Sequence, residues 1–555
     1  MMSDPKNPQD MTFHGGHIHT AGLTVKLRSG AGRISCACMT HQGARDTQED
    51  CSGISEIPEN GIAERFTAII ADGMGGLPAG AGTSRFAVRE LLAADITGNI
   101  PEQLCGAFRS ISANIKASGS GGGTTLAAVL CLPEGVYFCS AGDSRIYLQR
   151  GGVLTRLTED GDYFGELLDR VSAGTLTYAQ AESDPEKASL PQYIGSGAYI
   201  QPDCSLIPFQ PRAGDRLMLC TDGVYNALTE DEIMQSLCLS ARGSAEDILG
   251  RILARGYGNQ DNFTAVTLEF QSGEYTAELP QNTVESTAEL TADIACISRQ
   301  GGCAENQDCA YSAGGVYAVA DGLGGHSGGA AASAKAIECL KECAADIEPA
   351  QINCVLERMN TAVRSLGGGM TTIAAGFADG KSFRWGNVGD SRVYYFRNGE
   401  ILMQTKDDSV CRSAVESGRL NAEQIRCSSN RNGLLKALGS GDSLQLSGQC
   451  VPIRIQPGDA FLICSDGFWE YVHEHEMEAD LMKSHSSREW LRRMLRRHLL
   501  RSHDAGDNYS AVVGIFTEKP QESGAAKRRF TPWLAAGLAS AVLLAAAGVL
   551  WLLLK

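Results

Sequence analysis

The chain repeats itself. ADGMGG at 71–76 returns as ADGLGG at 320–325, and GGGTTLAA at 121–128 returns as GGMTTIAA at 368–375. AGDSRIYLQRGG at 141–152 is echoed by VGDSRVYYFRNG at 388–399, PRAGDRLMLCTDGVYNAL at 211–228 by IQPGDAFLICSDGFWEYV at 455–472, and GNQDNFTAV at 258–266 by AGDNYSAVV at 505–513. The offsets between matching aspartates are 249, 247, 244 and 246 for Asp72/Asp321, Asp143/Asp390, Asp222/Asp466 and Asp261/Asp507. Five blocks in one order at that spacing are a duplicated domain, because the period is far longer than any solenoid repeat. The copies span 33–270 and 292–517. They are preceded by a flexible tail, 1–32, and joined by a polar linker, 271–291, with little to bury.

Within each copy, short apolar runs end in Gly or Asp (FTAIIADG, TTLAAVLCL, DRLMLCTDG) and read as buried strands closed by tight turns. GVYFCSAGDSRIYLQRG reads as a hairpin turning at AGDS. Amphipathic stretches such as AGTSRFAVRELLAADI, PEQLCGAFRSISANIKA and AEDILGRILARG fall in pairs between the strand blocks. Strands grouped apart from paired helices predict an α+β class with antiparallel sheets.

The recurring chemical element is an Asp at a strand end followed by Gly or Asn: Asp72-Gly73, Asp222-Gly223 and Asp261-Asn262, then Asp321-Gly322, Asp466-Gly467 and Asp507-Asn508. One Asp-Gly is only a turn signal. Three brought to one sheet edge repel one another and call for cations, and hard oxygen donors without His or Cys suit Mg²⁺ or Mn²⁺. The net charge of −17 weighs against nucleic-acid partners, which need Lys and Arg for phosphates.

These residues resemble the metal-dependent serine/threonine protein phosphatases of type 2C, in their bacterial form. The resemblance rests on Gly43-Ala-Arg45-x-x-Gln48-Glu49-Asp50, Ala71-Asp72-Gly73-Met74-Gly75-Gly76, Gly123-Thr124-Thr125, Gly142-Asp143-Ser144-Arg145, Thr221-Asp222-Gly223 and Asp261-Asn262-x-Thr264. It implies tandem four-layer α-β-β-α domains, each a central antiparallel sandwich flanked by helix pairs. It implies two Mg²⁺ or Mn²⁺ per active site, with Asp72 bridging both, the Gly73 carbonyl at one, and Asp222 and Asp261 at the other. Asp143 would contribute to a third. Glu49 and Asp50 would act close by, Arg45 would grip the substrate phosphate, and phosphoserine or phosphothreonine would be hydrolysed by a metal-activated water. Phosphorylated proteins, the products of a serine/threonine kinase, are the implied partners. The stretches 158–205 and 405–445 match the family's variable flap beside the active site.

Copy two departs from the pattern. Cys303 stands where Arg45 would, and Gln307 replaces the Glu, while Asp308, Asp321, Gly322, Asp390, Asp466 and Asp507 remain. Cys cannot replace a charged bidentate donor. Copy two is therefore expected to bind metal while being degenerate or regulatory. The rival reading is a membrane-anchored pseudophosphatase scaffold that binds phosphoproteins without turnover.

Three features lie outside the repeat. WLAAGLASAVLLAAAGVLWLLL, 533–554, follows a tether (518–532) carrying Lys527, Arg528 and Arg529; its 22 uncharged residues would form a helix of about 33 Å, long enough to span a bilayer. It predicts a single-pass C-terminal transmembrane anchor with the catalytic domains in the cytoplasm. The 19 cysteines include no C-x-x-C pair and read as reduced, apolar core residues rather than a zinc site. His14, His17 and His19 form a cluster in the tail, and REWLRRMLRRHLL at 488–500 reads as a solvated helix on copy two or a membrane-surface contact.

Overall fold

Each copy contributes its own pair of sheets. In copy one, a seven-stranded sheet runs in the order Ile62–Ala63, Leu23–Leu27, Arg33–His41, Phe263–Phe270, Arg216–Cys220, Arg145–Arg150, Val153–Arg156. A five-stranded sheet runs Asp203–Cys204, Gly135–Ala141, Leu126–Leu132, Phe66–Ala71, Cys51–Ile54. Pairing is antiparallel except for the short parallel contact of Leu23–Leu27 with Ile62–Ala63. Copy two has two five-stranded sheets: Leu290–Arg299, Tyr509–Glu518, Ala460–Cys464, Arg392–Arg397, Glu400–Gln404, and Asp308–Ala313, Val316–Asp321, Ile373–Ala378, Ser382–Val388, Ile453–Arg454. This is a computed structural model; it describes residues 23–27, 32–74, 79–197, 199–271, 290–323, 328–346, 351–441, 444 and 451–518. The His14, His17 and His19 cluster, Gly75, Gly76, most of the linker and the tether lie outside the described residues.

The layers follow from which faces are apolar. Ile34, Cys38, Leu217 and Val266 of the first sheet pack with Phe66, Ile70, Val129 and Phe138 of the second in one buried cluster. The second sheet's other face (Ile69, Ala128, Cys139) is covered by helices Gly80–Ala93 and Ile100–Ala117 through Val88, Leu91, Leu104, Phe108 and Ile111. The first sheet's outer face takes helices Glu230–Leu237 and Ala241–Arg255 through Ile233, Leu237, Ile248 and Ile252. Both sheets are covered on both faces, so their strands read as continuous apolar runs rather than alternating ones. Copy two repeats the layering, with Val319, Phe383, Tyr395, Phe461 and Val512 between its sheets and helix pairs on either side.

The tail expected to be flexible over 1–32 contributes the strand Leu23–Leu27 to the first sheet, with Val25 and Leu27 buried in the core, so copy one begins before residue 33. Three further expectations need correction. AGDS is not a hairpin turn: Gly135–Ala141 belongs to one sheet and Arg145–Arg150 to the other, so the chain changes sheets there. Gly142 takes φ 97° at the crossing, and Gly389 takes φ 99° at the matching point of copy two. A glycine followed by a polar pair signals a reversal but not which sheet the next strand joins. Second, no helix among the described residues is long and apolar enough to cross a membrane. The single-pass anchor and the membrane localisation drawn from it are therefore withdrawn; hydropathy, length and flanking basic residues carried them, and 533–554 lies outside the described residues. Third, the arginine-rich helix Ser487–Ser502 is not solvated on its basic face. Arg493, Arg496 and Arg497 all reach copy one. The two copies belong to one compact unit.

Candidate metal centre

The strands end so that carboxylates meet at one edge of the sandwich. Asp72 follows Phe66–Ala71, Asp222 follows Arg216–Cys220, Asp261 precedes Phe263–Phe270, Asp50 precedes Cys51–Ile54, and Asp143 sits at the sheet crossing. Hydroxyls fix the backbone around them. The Asp72 N–H donates to Thr125 Oγ1 at 2.9 Å, and Thr124 Oγ1 donates to the Asp72 carbonyl at 2.8 Å. Thr125 is joined in turn to Ser144 at 2.6 Å, which ties the Asp72 turn to the Asp143 crossing. Asn262 braces the opposite rim: its Oδ1 accepts from the Glu49 N–H (2.8 Å) and its Nδ2 donates to the carbonyls of Gln42 and Thr47 (2.7 and 3.0 Å).

Glycine is required at two of these turns. Gly43 has φ 65°, and a Cβ there would lie 2.2 Å from the Asp261 carbonyl oxygen. At Gly73 the constraint is space: a Cβ would meet the Gly80 backbone at 2.6 Å and the Glu49 carbonyl oxygen at 2.7 Å.

The electrostatics of this edge favour a bound cation. Burial raises Asp50 to about 7, with repulsion from Asp222 and Asp261 adding to it and hydrogen bonds from the Thr221 and Thr264 hydroxyls opposing it. Asp143 is likewise pushed to about 7 by burial and by Asp222 and Asp160. Asp72 is raised well above the ordinary carboxylate range and Asp222 is raised too, both chiefly by burial and then by neighbouring carboxylates. Asp50 accepts Thr221 Oγ1 on Oδ2 at 2.8 Å, but its Oδ1 is buried with no hydrogen-bond partner. An unpartnered buried carboxylate oxygen is costly unless something occupies it. This orphan oxygen and the all-oxygen donor set fit a hard divalent cation. No three of these aspartates have ligand atoms all within 4.8 Å of one another.

Arg45 extends to Asp261, with Nη2 2.6 Å from Oδ2 and both side chains partly in solvent. Glu49 is half-buried beside Gly80. Arg145 turns out to be structural: its guanidinium lies 3.6 Å from the centre of the Tyr225 ring and makes paired hydrogen bonds to Asp160 at 2.9 and 2.7 Å.

Copy two reproduces the framework bond for bond. Ser465 Oγ donates to Asp308 Oδ2 at 2.8 Å, the Asp321 N–H donates to Thr372 Oγ1 at 3.1 Å, and the Gln307 N–H donates to Asn508 Oδ1 at 2.8 Å. Asp308 is raised to about 7 by burial and by Asp466 and Asp507, against hydrogen bonds from Ser510 and Ser465, and its Oδ1 is again buried and unpartnered. Burial and neighbouring carboxylates raise Asp321, Asp390 and Asp466. Where Arg45 meets Asp261, the Cys303 thiol donates to Asp507 Oδ1 at 3.2 Å. The hydroxyls Thr221, Thr264, Ser465 and Ser510 were not singled out from sequence as site residues. Their signal was available, as a Thr or Ser at the same place in both copies of two of the five blocks.

Residues 59–255, within copy one, match the family model described as protein phosphatase 2C. The serine/threonine phosphatase Stp of Listeria welshimeri is 32% identical over 261 residues, covering 44% of this chain and 96% of that protein. The chain belongs to the protein phosphatase 2C family. The serine/threonine protein phosphatase PstP of Mycobacterium tuberculosis is 31% identical over 215 residues, 37% of this chain but only 40% of PstP. Among solved structures, the S. agalactiae serine/threonine phosphatase is similar over 43% of this chain and 100% of its own, at 27% identity and a TM-score of 0.38.

Proposed function

We propose that copy one is a Mg²⁺- or Mn²⁺-dependent phosphatase acting on phosphoserine and phosphothreonine in proteins, and that copy two is a metal-binding regulatory copy. The observation that carries the reading is the buried Asp50 Oδ1, left without a partner inside a set of repelling aspartates. Asp72, the Gly73 carbonyl, Asp222 and Asp261 would hold the cations, with Asp143 at a third position. A divalent cation there supplies positive charge to phosphoryl oxygens and acidifies water. The chain does the rest. The Thr221 hydroxyl orients the Asp50 carboxylate, so that Oδ1 is free to accept a hydrogen bond from water. Arg45, on the open rim, offers a planar fork to the phosphate and excludes ligands that lack paired oxygens.

Copy two keeps the carboxylates and lacks the fork. Its contacts with copy one support a regulatory role. Arg493 Nη1 donates to Asp203 Oδ1 at 2.7 Å and lies 3.0 Å from Glu159 Oε1. Arg496 makes paired bonds to Asp169 (2.8 and 2.7 Å) and reaches Glu159 Oε2 at 3.0 Å, while Lys483 Nζ donates to Asp203 at 3.0 Å. Glu159 and Asp203 are the two ends of the 158–205 segment, and its interior receives Leu499 among Leu167, Leu168 and Val171. Copy two thus grips the segment expected to govern substrate choice.

The test is hydrolysis of para-nitrophenyl phosphate and of a phosphothreonine peptide by the full chain, with Mn²⁺ and with EDTA. Turnover with Mn²⁺ and none with EDTA is expected; no Mn²⁺-dependent turnover on either substrate defeats the enzyme reading.

A further inference from the structure

Cys105, Cys139 and Cys204 come from three separate elements: helix Ile100–Ala117, strand Gly135–Ala141 and strand Asp203–Cys204. Cys204 and Cys139 are direct cross-strand partners in the antiparallel pair, and the helix lays Cys105 over them. Their three sulfurs all lie within 4.8 Å of one another, and among the described residues no other trio of His, Cys, Asp or Glu meets that condition. All three are free thiols. Cys139 is fully buried and Cys204 is 5% exposed, whereas Cys105 is half-buried. Cys105 and Cys204 line a cavity of about 710 Å³ between the two copies, together with Arg109 and His485.

We propose that these three cysteines form a zinc site, distinct from the aspartate centres, with its fourth coordination position open to the cavity between the copies. Thiolates around tetrahedral zinc at about 2.3 Å stand roughly 3.8 Å apart, so the trio needs only a small contraction to close on an ion. Zinc takes soft sulfur donors that Mg²⁺ and Mn²⁺ leave alone, which separates this site chemically from the carboxylates. Burial and the neighbouring thiols keep Cys139 and Cys204 protonated in the metal-free chain, so two protons leave as the ion enters, while Cys105 is already poised as a thiolate. Hydrogen bonds from Cys139 and Cys204 hold the Cys105 thiol well below its ordinary value against the upward push of burial, and Arg109 and His485 act in the same direction. The position also gives the ion something to do. Cys204 directly follows Asp203, which Arg493 and Lys483 of copy two hold, so zinc would fasten the far end of the 158–205 segment to the copy-one sheet and helix. Sequence spacing hid the site, because no two of the three cysteines are near in the chain.

Cobalt is the probe that distinguishes the two kinds of centre, since thiolate ligands give a charge-transfer absorption with Co²⁺ and carboxylates do not. The full chain, reduced and stripped with EDTA under anaerobic conditions, is titrated with Co²⁺ alone. One equivalent should develop the thiolate band, and one equivalent of Zn²⁺ should bleach it. Cys105→Ser and Cys204→Ser should each remove most of the band. Asp72→Asn, which alters only a carboxylate centre, should keep it. Retained Mn²⁺-dependent hydrolysis by Cys105→Ser shows that this variant folds; if it does not fold, Cys204→Ser is read instead, with circular dichroism as the check. A wild-type chain with no thiolate band, a band that Zn²⁺ does not bleach, or a band undiminished in both folded serine variants overturns the proposal.

Discussion

The two copies hold the same carboxylates in the same hydrogen-bonded frame and differ at the rim. In copy one, Arg45 stands 2.6 Å from Asp261; in copy two, Cys303 stands 3.2 Å from Asp507. Gly43 and Gly301 share the same turn, with φ 65° and 59°, and in each a Cβ would collide with the carbonyl oxygen of the following partner Asp. The backbone that presents the rim residue is therefore maintained where the residue itself has changed. Under the proposed function, metal binding and phosphate recognition are separable: the first would depend on strand ends buried in the sandwich, the second on one exposed side chain, Arg45.

That separation can be broken experimentally. The largest effect should come from the rim. Arg45→Ala is expected to lower kcat/KM on a phosphothreonine peptide by about 100-fold, the scale of losing one preorganised donor. Cys303→Ala should leave the rate unchanged. A comparable loss in both would mean that copy two contributes to turnover. The reverse exchange sharpens the point. Cys303→Arg with Gln307→Glu, in a chain whose copy one is silenced by Asp222→Asn, should restore Mn²⁺-dependent hydrolysis of para-nitrophenyl phosphate; a chain still silent shows that more than the rim was lost.

The grip between the copies gives the next effect. Glu159 and Asp203 are nearly enclosed, and Arg493 touches both. Arg496 still faces Glu159 and Lys483 still faces Asp203 when Arg493 is removed, so the cost is that of losing charge-assisted hydrogen bonds, about 1.5–3 kcal/mol, rather than of an uncompensated buried charge. Arg493→Ala should therefore lower Tm by several degrees and alter the KM for peptides more than for para-nitrophenyl phosphate, since the small ester has little to gain from the 158–205 segment. Equal changes for both substrates would argue against a role in substrate choice.

The smallest effect is in pH. Burial alone would raise Glu159, but Arg493, Lys483 and Arg496 together hold it well below the ordinary carboxylate range, and Lys483 and Arg493 lower Asp203 in the same way against burial. Both groups have depressed values in the folded chain. Their contribution is complete above the ordinary carboxylate value of about 4 and is lost as pH falls from there through the depressed values. Differential scanning calorimetry of the Glu159→Gln chain should show a flatter loss of Tm below about pH 4 than the parent chain. Parallel curves would remove these groups from the account.

Much of this was legible in the sequence, for physical reasons that also mark its limits. Duplicated blocks revealed the copies because the strand ends and their Asp-Gly turns recur in one order at nearly constant offsets. The helix pairs were legible as amphipathic stretches. The sheet change at Gly142 was not, since a local turn signal says nothing about which sheet the next strand joins. The aspartates could be named, but the Thr and Ser hydroxyls that orient Asp50 and Asp308 were passed over beside their more conspicuous neighbours. Arg493 and Arg496 looked like a solvated stripe because their partners, Glu159, Asp169 and Asp203, lie more than 250 residues away. The cysteine trio was dismissed because its spacing matches no local motif. What sequence misses here is what only tertiary structure assembles.

The central claim is that copy one turns over phosphate esters while copy two holds metal without doing so. The direct measurement compares two single variants of the full chain, Asp222→Asn and Asp466→Asn, in Mn²⁺-dependent hydrolysis of a phosphothreonine peptide. The account predicts that Asp222→Asn falls to the rate seen in EDTA while Asp466→Asn keeps most of the parent activity. An Asp222→Asn chain that remains active, or an Asp466→Asn chain that is equally dead, would contradict it.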